Sequence, residues 1–315
     1  MNKSIIIGIS HCLLGMPVRF NGGHKKDDYI TDVLAHYFDF YPICPEVESG
    51  MGVPRPALHL EGDPKYPRLV EALNPQIDHT AKLQQFCQNR IKDLQHLSGF
   101  ILKNKSPSCG WKNVKIYQSA PLPPKIGQGI FANFLEKYYP FLPIEEEGRL
   151  RDFRLRENFI ERVFCYRRFQ ELTKNNLNKQ SIVAFHTEHK LTLLAHNETI
   201  YRELGKKVAD LKHIATEQFA HEYLALFMEG MKKIATLKTH SNVLQHIQGY
   251  FKEKIDAGDK AELHETIMAY QSGKVPLIVP VILIKHHLRR HPESYLLKQR
   301  YLFPYPEEMM LRNHI

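Results

Sequence analysis

Three cysteines share one sequence context, and a thiol is a side chain that can bind metals or act as a nucleophile. Cys12, Cys44 and Cys109 each lie at or just beyond the end of an apolar run, of which residues 5–9 and 99–102 are the clearest. These runs have the length and composition of buried strands. Because ligands of open α/β folds bind where the carboxyl ends of parallel strands meet, we expect the three thiols to emerge at one edge of a sheet.

The residues alone leave several uses for these thiols open. They can be buried hydrophobic residues, a zinc site that lacks a ligand, a redox pair with a spare cysteine, or three ligands of an iron–sulfur cluster. The wide spacing fits none of the compact zinc patterns. The sequence contains no C-x-x-C motif, which disfavours a thioredoxin-like exchange site. A cluster held by three cysteines leaves one iron without a protein ligand, and that iron can act as a Lewis acid.

Polar residues accompany the thiols. Glu46 comes two residues after the second thiol, in a segment rich in Pro and Gly (residues 45–56), and Arg55 lies near the end of that segment. Ser106 and Ser108 belong to the loop of the third thiol. An irregular loop beside a site can hold a carboxylate and a guanidinium in place. In the plainer interpretation, Glu46 is a helix cap or a surface carboxylate and Arg55 is a surface charge.

Strands and helices alternate through the first half of the sequence. Apolar residues recur at helical spacing in residues 29–38, 78–97 and 130–139, and residues 141–144 are a plausible fourth strand. This order predicts an α/β fold, a small parallel-sheet, Rossmann-like domain in residues 1–150. Beyond residue 150, apolar residues recur only at helical spacing, which predicts an all-α domain in residues 151–315. Cys87 and Cys165 lie within apolar helical stripes and are predicted to be core residues.

The charge of the 315-residue chain is unevenly distributed. Residues 1–150 hold 17 basic and 15 acidic residues, whereas the remainder holds 26 basic and 19 acidic residues. A basic second half permits contact with phosphates, so binding to nucleic acid is a possible function, although basic surfaces also serve solubility. The sequence has no run long enough to span a membrane and no secretory leader, which predicts a cytoplasmic location. Five cysteines without dense spacing indicate reduced thiols.

The first half contains several separated motifs: His-Cys-Leu-Leu-Gly at residues 11–15, Val-Arg-Phe-Asn-Gly at 18–22, Cys-Pro-Glu-Val at 44–47 with Pro-Arg-Pro at 54–56, and Lys-Asn-Lys-Ser-Pro-Ser-Cys-Gly at 103–110. These motifs resemble the TudS-like thiouracil desulfidase family, also known as domain of unknown function 523. Separated motifs in the same order make the resemblance specific. Phe20 and Asn21 depart from it, because the family's first motif has Tyr-Asp at these positions.

The resemblance implies a [4Fe–4S] cluster held by Cys12, Cys44 and Cys109. It implies hydrolysis of the carbon–sulfur bond of a thiolated uracil compound, such as 4-thiouridine monophosphate or thiouracil, without net redox change. Glu46 matches the acidic catalytic position and is the candidate base. Ser106 matches a serine of the third motif and is a second catalytic candidate, which could hold the ring or pass a proton. Further candidates for contact with the substrate follow from charge and position: Arg19, Arg55 and Lys105 for a phosphate, and Ser108 for the ring or the cluster.

The second half contains Glu-Asn-Phe-Ile-Glu-Arg at residues 157–162, Phe-His-Thr-Glu-His-Lys at 185–190 and Leu-Phe-Pro-Tyr-Pro at 302–306. With these segments it resembles the helical YbgA-like domain, domain of unknown function 1722, which is often fused to the desulfidase domain. His186, His189 and His196 lie near one face of a predicted helix, and imidazoles at such spacing can share a metal ion. The better interpretation is that they are polar surface groups or hydrogen-bond partners between domains. Two rival functions remain: a nucleic-acid-binding protein whose cluster is structural or sensory, and a protein without a cluster, such as a sulfur carrier.

Overall fold

The structure is a computed structural model that describes residues 5–118 and 122–315. The chain divides into two compact units, of which the first ends at Arg151 and the second begins at Asp152. The first unit contains a parallel sheet with helices, and the second is helical. The predicted fold class, a parallel-sheet α/β half followed by an all-α half, is therefore confirmed.

The described strands all lie in the first unit and form two four-stranded sheets. In chain order they are β1 (Ile6–Ser10), β2 (Asp39–Ile43), β3 (Leu58–Glu61), β4 (Arg68–Glu71), β5 (Gly99–Leu102), β6 (Val114–Tyr117), β7 (Lys125–Gly127) and β8 (Ile144–Glu146).

The first sheet is entirely parallel and has the order β2-β1-β5-β8. All four residues of β5 are buried, as expected for a parallel strand that is covered on both faces. Gly8 allows the close packing of β1, because a Cβ atom there would lie 2.3 Å from the ring of Phe100. This sheet holds the carboxyl ends of β1, β2 and β5 at one edge.

The second sheet was not predicted. Its order is β4-β3-β6-β7; β3 and β6 are parallel, and the two outer pairs are antiparallel. Its strands have only three or four residues each, and they lie in segments where Pro, Gly and charged residues hide the alternation of apolar side chains. Short strands of this kind give a weak periodic signal.

Helices of the first unit follow the prediction in part. They are α1 (Pro45–Glu48), α2 (Thr80–Arg90) and α3 (Ile130–Tyr138). The helical segment predicted over residues 29–38 is present but irregular, because the chain there forms a π-helical turn, Tyr29–Val33, followed by a 3-10 turn, Leu34–His36. The fourth strand also differs, since β8 begins at the last residue of the predicted segment 141–144.

The second unit is built from eight helices in the part of it that the structure describes. They are α4 (Phe153–Asn175), α5 (Lys179–His196), α6 (Glu198–Ala209), α7 (Thr216–Lys232), α8 (Leu237–Gly249), α9 (Ala257–Gln271), α10 (Ile278–Arg290) and α11 (Ser294–Leu297). Buried apolar side chains of α5, α8, α9 and α10 form one hydrophobic core, with Ile247, Phe251 and Ile284 fully inaccessible. Burial of such side chains is the main stabilising contribution to a helical unit.

The histidines of α5 are not surface groups, and that expectation is wrong. His186, His189 and His196 are all at least 97% buried. The Nδ1 atom of His186 lies 3.1 Å from the hydroxyl of Tyr223, and Nδ1 of His189 lies 2.8 Å from the carbonyl oxygen of Phe185. Burial lowers the pKa of His186 to about 4 and holds that of His189 well below its usual range, so both rings are neutral.

His196 belongs to a buried cluster of charges between α4 and α5. Its Nε2 atom lies 2.8 Å from Oε2 of Glu161, and its Nδ1 atom lies 2.6 Å from the carbonyl oxygen of Lys233. Burial opposes charge on both members of the pair. The carboxylate of Glu161 nevertheless raises the pKa of His196, and the imidazole lowers the pKa of Glu161, so the two form an ion pair.

Candidate functional site

The three predicted thiols lie around one cavity of about 390 Å³ at the carboxyl edge of the parallel sheet. Cys12 lies in a short 3-10 turn directly after β1, and Cys44 lies between β2 and α1. Cys109 lies in the loop after β5. Cys12 and Cys109 are at least 91% buried, whereas Cys44 is half-buried. Three separate strand ends therefore deliver one sulfur each to the same space.

The thiols influence one another electrostatically. Burial raises the pKa of Cys12 to about 11, and the nearby Cys44 adds to the increase. Burial also raises the pKa of Cys44, and it holds the pKa of Cys109 well above its ordinary value, with smaller contributions from the other two sulfurs. As free groups, these side chains are protonated thiols at neutral pH. A metal would have to displace their protons to bind them.

Cys87 and Cys165 lie apart from this cavity. Both are at least 99% buried, as predicted for core residues. Among residues 5–118 and 122–315, no group of three or more His, Cys, Asp and Glu side chains is arranged to hold a metal ion. That holds for the three cavity thiols and for the histidines of α5. The geometry thus disfavours a site for one ion with these ligands.

Glu46 lies on the cavity wall in the first turn of α1 and has both carboxylate oxygens occupied. The hydroxyl of Ser108 donates to Oε1 at 2.9 Å. The guanidinium of Arg55 donates to Oε2 from Nε at 3.0 Å and also from Nη2. The Glu46 and Arg55 side chains are 86% and 95% buried, respectively. The carboxylate is thus held in one orientation by charge-assisted hydrogen bonds.

Arg55 also connects separate loops of the cavity. Its Nη1 atom donates to the carbonyl oxygen of Val18 at 3.1 Å and to that of Gly52 at 2.8 Å. Its backbone N–H donates to the carbonyl oxygen of Phe20 at 2.9 Å. The guanidinium therefore joins the loop after β1 to the loop that carries Glu46. These partners occupy the guanidinium of Arg55, which the sequence analysis suggested as a contact for a phosphate.

The two serines of the third loop have different positions. Ser106 lines the cavity, and its Oγ atom accepts hydrogen bonds from the backbone N–H groups of Ser108 at 3.2 Å and Cys109 at 3.0 Å. Ser108 is fully buried and contacts the carboxylate of Glu46. Ser106 thus shapes the loop that carries the third thiol, and Ser108 supports the acidic side chain.

Two of the predicted cations remain available at the cavity. Arg19 and Lys105 both line it, and Lys105 is exposed, with a backbone φ of +58°. The guanidinium of Arg19 lies 5.5 Å from the ring centroid of Phe20. Within the described ranges, neither cation forms a salt bridge with a carboxylate of the chain, unlike Arg55. Their charges can therefore meet an anionic group from outside.

Two residues that line the cavity, Lys103 and Ser10, were missed by the sequence analysis. The ammonium group of Lys103 pairs with the carboxylate of Glu147, whose other oxygen accepts from the backbone N–H of Asn104 at 2.8 Å. The hydroxyl of Ser10 accepts from the backbone N–H of Lys103 at 2.9 Å. Lys103 is the first residue of the third motif and Ser10 directly precedes the first motif, but no sequence pattern indicates the contact of Lys103 with Glu147, 44 positions away.

Comparisons with known proteins follow this division of the chain. A family described as 2-thiouracil desulfurase matches residues 7–147, and a family described as a protein of unknown function, DUF1722, matches residues 190–306. The YbgA protein of Escherichia coli (strain K12) is 30% identical over 161 residues, which are 51% of this chain and 95% of that protein. A solved structure described as the [4Fe-4S]-dependent thiouracil desulfidase TudS is 26% identical, covers 47% of this chain and 94% of its own, and has a TM-score of 0.38.

No helix within the described parts of the chain is both long and apolar enough to cross a membrane. The matched ranges confirm the resemblance of the two halves to two different families. The chain belongs to the YbgA-like family, and it joins a 2-thiouracil desulfurase domain to a DUF1722 domain.

Proposed function

We propose that this protein is a [4Fe–4S]-dependent, non-redox desulfidase that hydrolyses the carbon–sulfur bond of thiolated uracil compounds. The observation that carries the proposal is that three thiols from three parallel strand ends and the carboxylate of Glu46 line one cavity. The match of residues 7–147 to the 2-thiouracil desulfurase family supports the substrate class. The overall change converts a thiocarbonyl and water into a carbonyl and hydrogen sulfide, and no electrons are gained or lost.

The donor set at the cavity fits a cluster better than a single ion. Cys12, Cys44 and Cys109 are soft sulfur ligands, which suit iron–sulfur clusters. They line one cavity, and a [4Fe–4S] cluster takes its thiolates on different iron atoms. When bound, the cluster would supply a Lewis-acidic iron with an open position for the sulfur of the substrate.

Glu46 is the proposed general base. Its carboxylate accepts a proton from the water that attacks the ring carbon, and a base must lie within hydrogen-bond reach of that water. Ser108 and Arg55 each hold one of its oxygens, so the carboxylate is oriented before the substrate arrives. Arg55 is therefore proposed as a positioning residue. This role replaces the phosphate contact suggested by the sequence.

The remaining candidates are assigned by position. Ser106 lines the cavity and can donate its hydroxyl proton to a substrate oxygen or ring nitrogen, because its lone pairs take the loop N–H groups. Arg19 and Lys105 are proposed to meet an anionic substituent of the substrate, since no carboxylate of the described chain pairs with them. A nucleotide would use these cations and a free base would not. The cavity volume of about 390 Å³ lies within the range of small-molecule sites.

The test is anaerobic reconstitution with iron and sulfide, followed by measurement of hydrogen sulfide and of the oxygenated pyrimidine from 4-thiouridine monophosphate and from 2-thiouracil. We expect equal amounts of both products from the parent. Cys109→Ala should lose both iron and activity, whereas Glu46→Gln should keep iron and lose activity. Cys165→Ala removes a buried thiol far from the cavity in sequence and is the matched control.

Two results would overturn the proposal. Cluster formation without release of sulfide from either substrate would refute the desulfidase activity, and RNA binding by that same protein would then favour the nucleic-acid-binding alternative. Absence of iron after anaerobic reconstitution, with the same result for Cys109→Ala and the parent, would refute the cofactor. Unchanged sulfide release by Glu46→Gln would refute the role of the base.

A further inference from the structure

The loop that carries Cys109 connects β5, which ends at Leu102, to β6, which begins at Val114. Two of its residues, Lys105 and Asn113, have backbone φ angles of +58° and +59°. Lysine seldom adopts this left-handed conformation, whereas asparagine tolerates it better. A residue keeps such a conformation only where the surrounding contacts hold it there. The loop therefore needs partners that fix its backbone.

Two adjacent carboxylates at the end of β8 supply these partners. The Oε1 atom of Glu146 accepts hydrogen bonds from the backbone N–H groups of Trp111 at 2.8 Å and Lys112 at 3.1 Å. The Oε2 atom of Glu147 accepts one from the backbone N–H of Asn104 at 2.8 Å. Each left-handed residue of the loop directly follows a residue bound in this way. Glu147 thus holds the beginning of the loop, and Glu146 holds its end.

The place of the two carboxylates follows from the sheet. β8 pairs with β5, with Leu102 opposite Glu146, and the backbone N–H of Glu147 donates to the carbonyl oxygen of Leu102 at 3.2 Å. Successive side chains of an extended chain point to opposite faces, so neighbouring carboxylates can reach the two ends of one loop. Glu146 is 96% buried, and the Glu147 side chain is 90% buried. Hydrogen bonds to such ionised acceptors are the stronger ones.

Lys103 belongs to this arrangement, although it lines the cavity. An ammonium group has three protons to donate. Its Nζ atom donates to the backbone oxygen of Asn104 at 3.2 Å, to the side-chain oxygen of Asn104 and to Oε1 of Glu147. All three donors therefore have acceptors on the chain itself. Both oxygens of Glu147 are occupied, whereas Glu146 binds two N–H groups with one oxygen.

We propose that Glu146 and Glu147 are positioning residues that clamp the two ends of the Cys109 loop and so hold its thiol in place for the cluster. The effect on iron rests on the proposed function, whereas the clamp itself belongs to the chain without cofactor. The loop also carries Ser108, which donates to Glu46, so the clamp keeps the third thiol and that carboxylate in one arrangement. A loop that is already ordered saves the conformational entropy that binding would otherwise cost.

Trp111 reports on the loop directly, because it is the one tryptophan of the sequence and its backbone N–H is one of the clamped groups. Quenching of its fluorescence by acrylamide is measured in the protein without iron. Loss of iron to a chelator is measured after anaerobic reconstitution. We expect Glu146→Ala to show stronger quenching and about 10-fold faster loss of iron, the order expected when hydrogen bonds to a charged acceptor are lost. Glu136→Ala, which removes an exposed carboxylate of α3, is the matched control and should change neither.

Glutamine variants distinguish positioning from a general effect of lost charge. Glu146→Gln keeps an oxygen that can accept from both N–H groups, so it should restore the quenching and the iron retention of the parent. Glu147→Gln keeps only one of two acceptors that are both in use, so it should still lose iron faster than the parent. Failure of Glu146→Gln to restore either quantity would refute the role of its hydrogen bonds.

The outcomes separate this inference from the proposed function. A parent protein that binds no cluster would refute the proposed cofactor, and the quenching comparison would still test the clamp. Unchanged quenching and iron loss in Glu146→Ala would refute the clamp alone. If circular dichroism shows that this variant does not fold, hydrogen exchange in the parent tests the clamp instead. The amides of Asn104, Trp111 and Lys112 should then exchange as slowly as those of β5, and exchange as fast as in exposed loops would overturn the inference.

Discussion

Arg312 near the C-terminus is the residue whose loss should disturb the helical unit most. Its side chain is 96% buried, and its Nη1 atom donates to the carbonyl oxygen of Tyr301 at 2.6 Å. Its Nε atom lies 3.6 Å from the carboxylate of Glu157, and its Nη2 atom lies 3.6 Å from the carboxylate of Glu161. Both carboxylates are also buried, so Arg312 is a shared counter-charge for two acidic groups. We predict that Arg312→Ala is strongly destabilising.

The expected magnitude follows from these contacts. Removing one member of a buried ion pair costs about 3–5 kcal/mol, because the partner charge stays buried without compensation. The guanidinium also lies 4.9 Å from the ring centroid of Tyr301, and that contact is lost as well. One feature limits the cost: burial and the charge of Glu161 raise the pKa of Glu157 to about 7, so this carboxyl can take up a proton instead. We expect the free energy of unfolding to fall by about 3 kcal/mol near neutral pH.

Urea unfolding followed by far-ultraviolet circular dichroism measures this change, because most of the described helices lie in the second unit. The fluorescence of Trp111, the one tryptophan of the sequence, reports the first unit in the same experiment. Arg202→Ala is the matched control, since it removes an arginine from an exposed ion pair with Glu198 in the same unit. Equal shifts of the dichroism transition for both variants would refute the reasoning. The reasoning would also be refuted if Arg312→Ala lowered the free energy of unfolding by the same amount in a Glu157→Gln background as in the parent, because the two sites should couple.

Three further predictions concern other groups. Glu157 has a folded-state pKa of about 7 against an ordinary value of 4.5, so the folded state binds more protons than the unfolded state between these two pH values. The free energy of unfolding should therefore fall as the pH rises from about 4.5 to about 7. Urea midpoints measured across this pH range test the prediction, and Glu157→Gln should remove the pH dependence. Gly129→Ala should lower iron incorporation, because a Cβ atom would lie 2.5 Å from the backbone of Ser108. The control Gly205→Ala lies on open helix surface, so it should raise the free energy of unfolding by about 1 kcal/mol and keep iron. Equal iron contents of the two variants would contradict this prediction. Arg55→Lys should keep iron but lower kcat for sulfide release by about 10²-fold, because the Glu46 carboxylate would no longer be held in one orientation. A change in KM alone would argue that Arg55 binds the substrate instead.

The sequence allowed the edge of the sheet to be predicted because the information there is local. Cys12 and Cys109 follow apolar runs that have no polar alternation, and such runs indicate strands buried on both faces. Parallel strands bring their carboxyl ends together without any further information about side chains. The convergence of three thiols on one cavity could therefore be expected from chain order and hydrophobic pattern.

Contacts inside the site could not be predicted in this way. The bonds from Arg55 and Ser108 to Glu46 join residues 9 and 62 positions apart, and they depend on how two irregular loops fold back. Nothing in the local pattern distinguishes Arg55, which is bound by the chain, from Arg19, which is available at the cavity. The sequence therefore indicated the residue types at the site but not which cation holds the Glu46 carboxylate.

The buried histidines of α5 show a second reason why some contacts could not be predicted from the sequence. A basic chain with 18 histidines favours the expectation that most of them are exposed. His196 is nevertheless buried because Glu161 on α4 supplies a compensating charge at 2.8 Å. Burial of a charge is possible only when such a partner is present, and the partner lies 35 positions away in sequence. A charge pair between two helices leaves no periodic pattern in the sequence, so the sequence alone predicts that such polar groups lie on the surface.

Both units bury carboxylates beside an arginine, but the space next to each pair differs. Glu46 and Arg55 border a cavity of about 390 Å³, which has room for a pyrimidine. Glu157 borders a cavity of about 10 Å³, which has room for about one water molecule. A carboxylate can act as a base on a substrate only where the substrate reaches it. We therefore place the proposed chemistry at Glu46 and expect the buried charges around Glu157 to act on the stability of the helical unit.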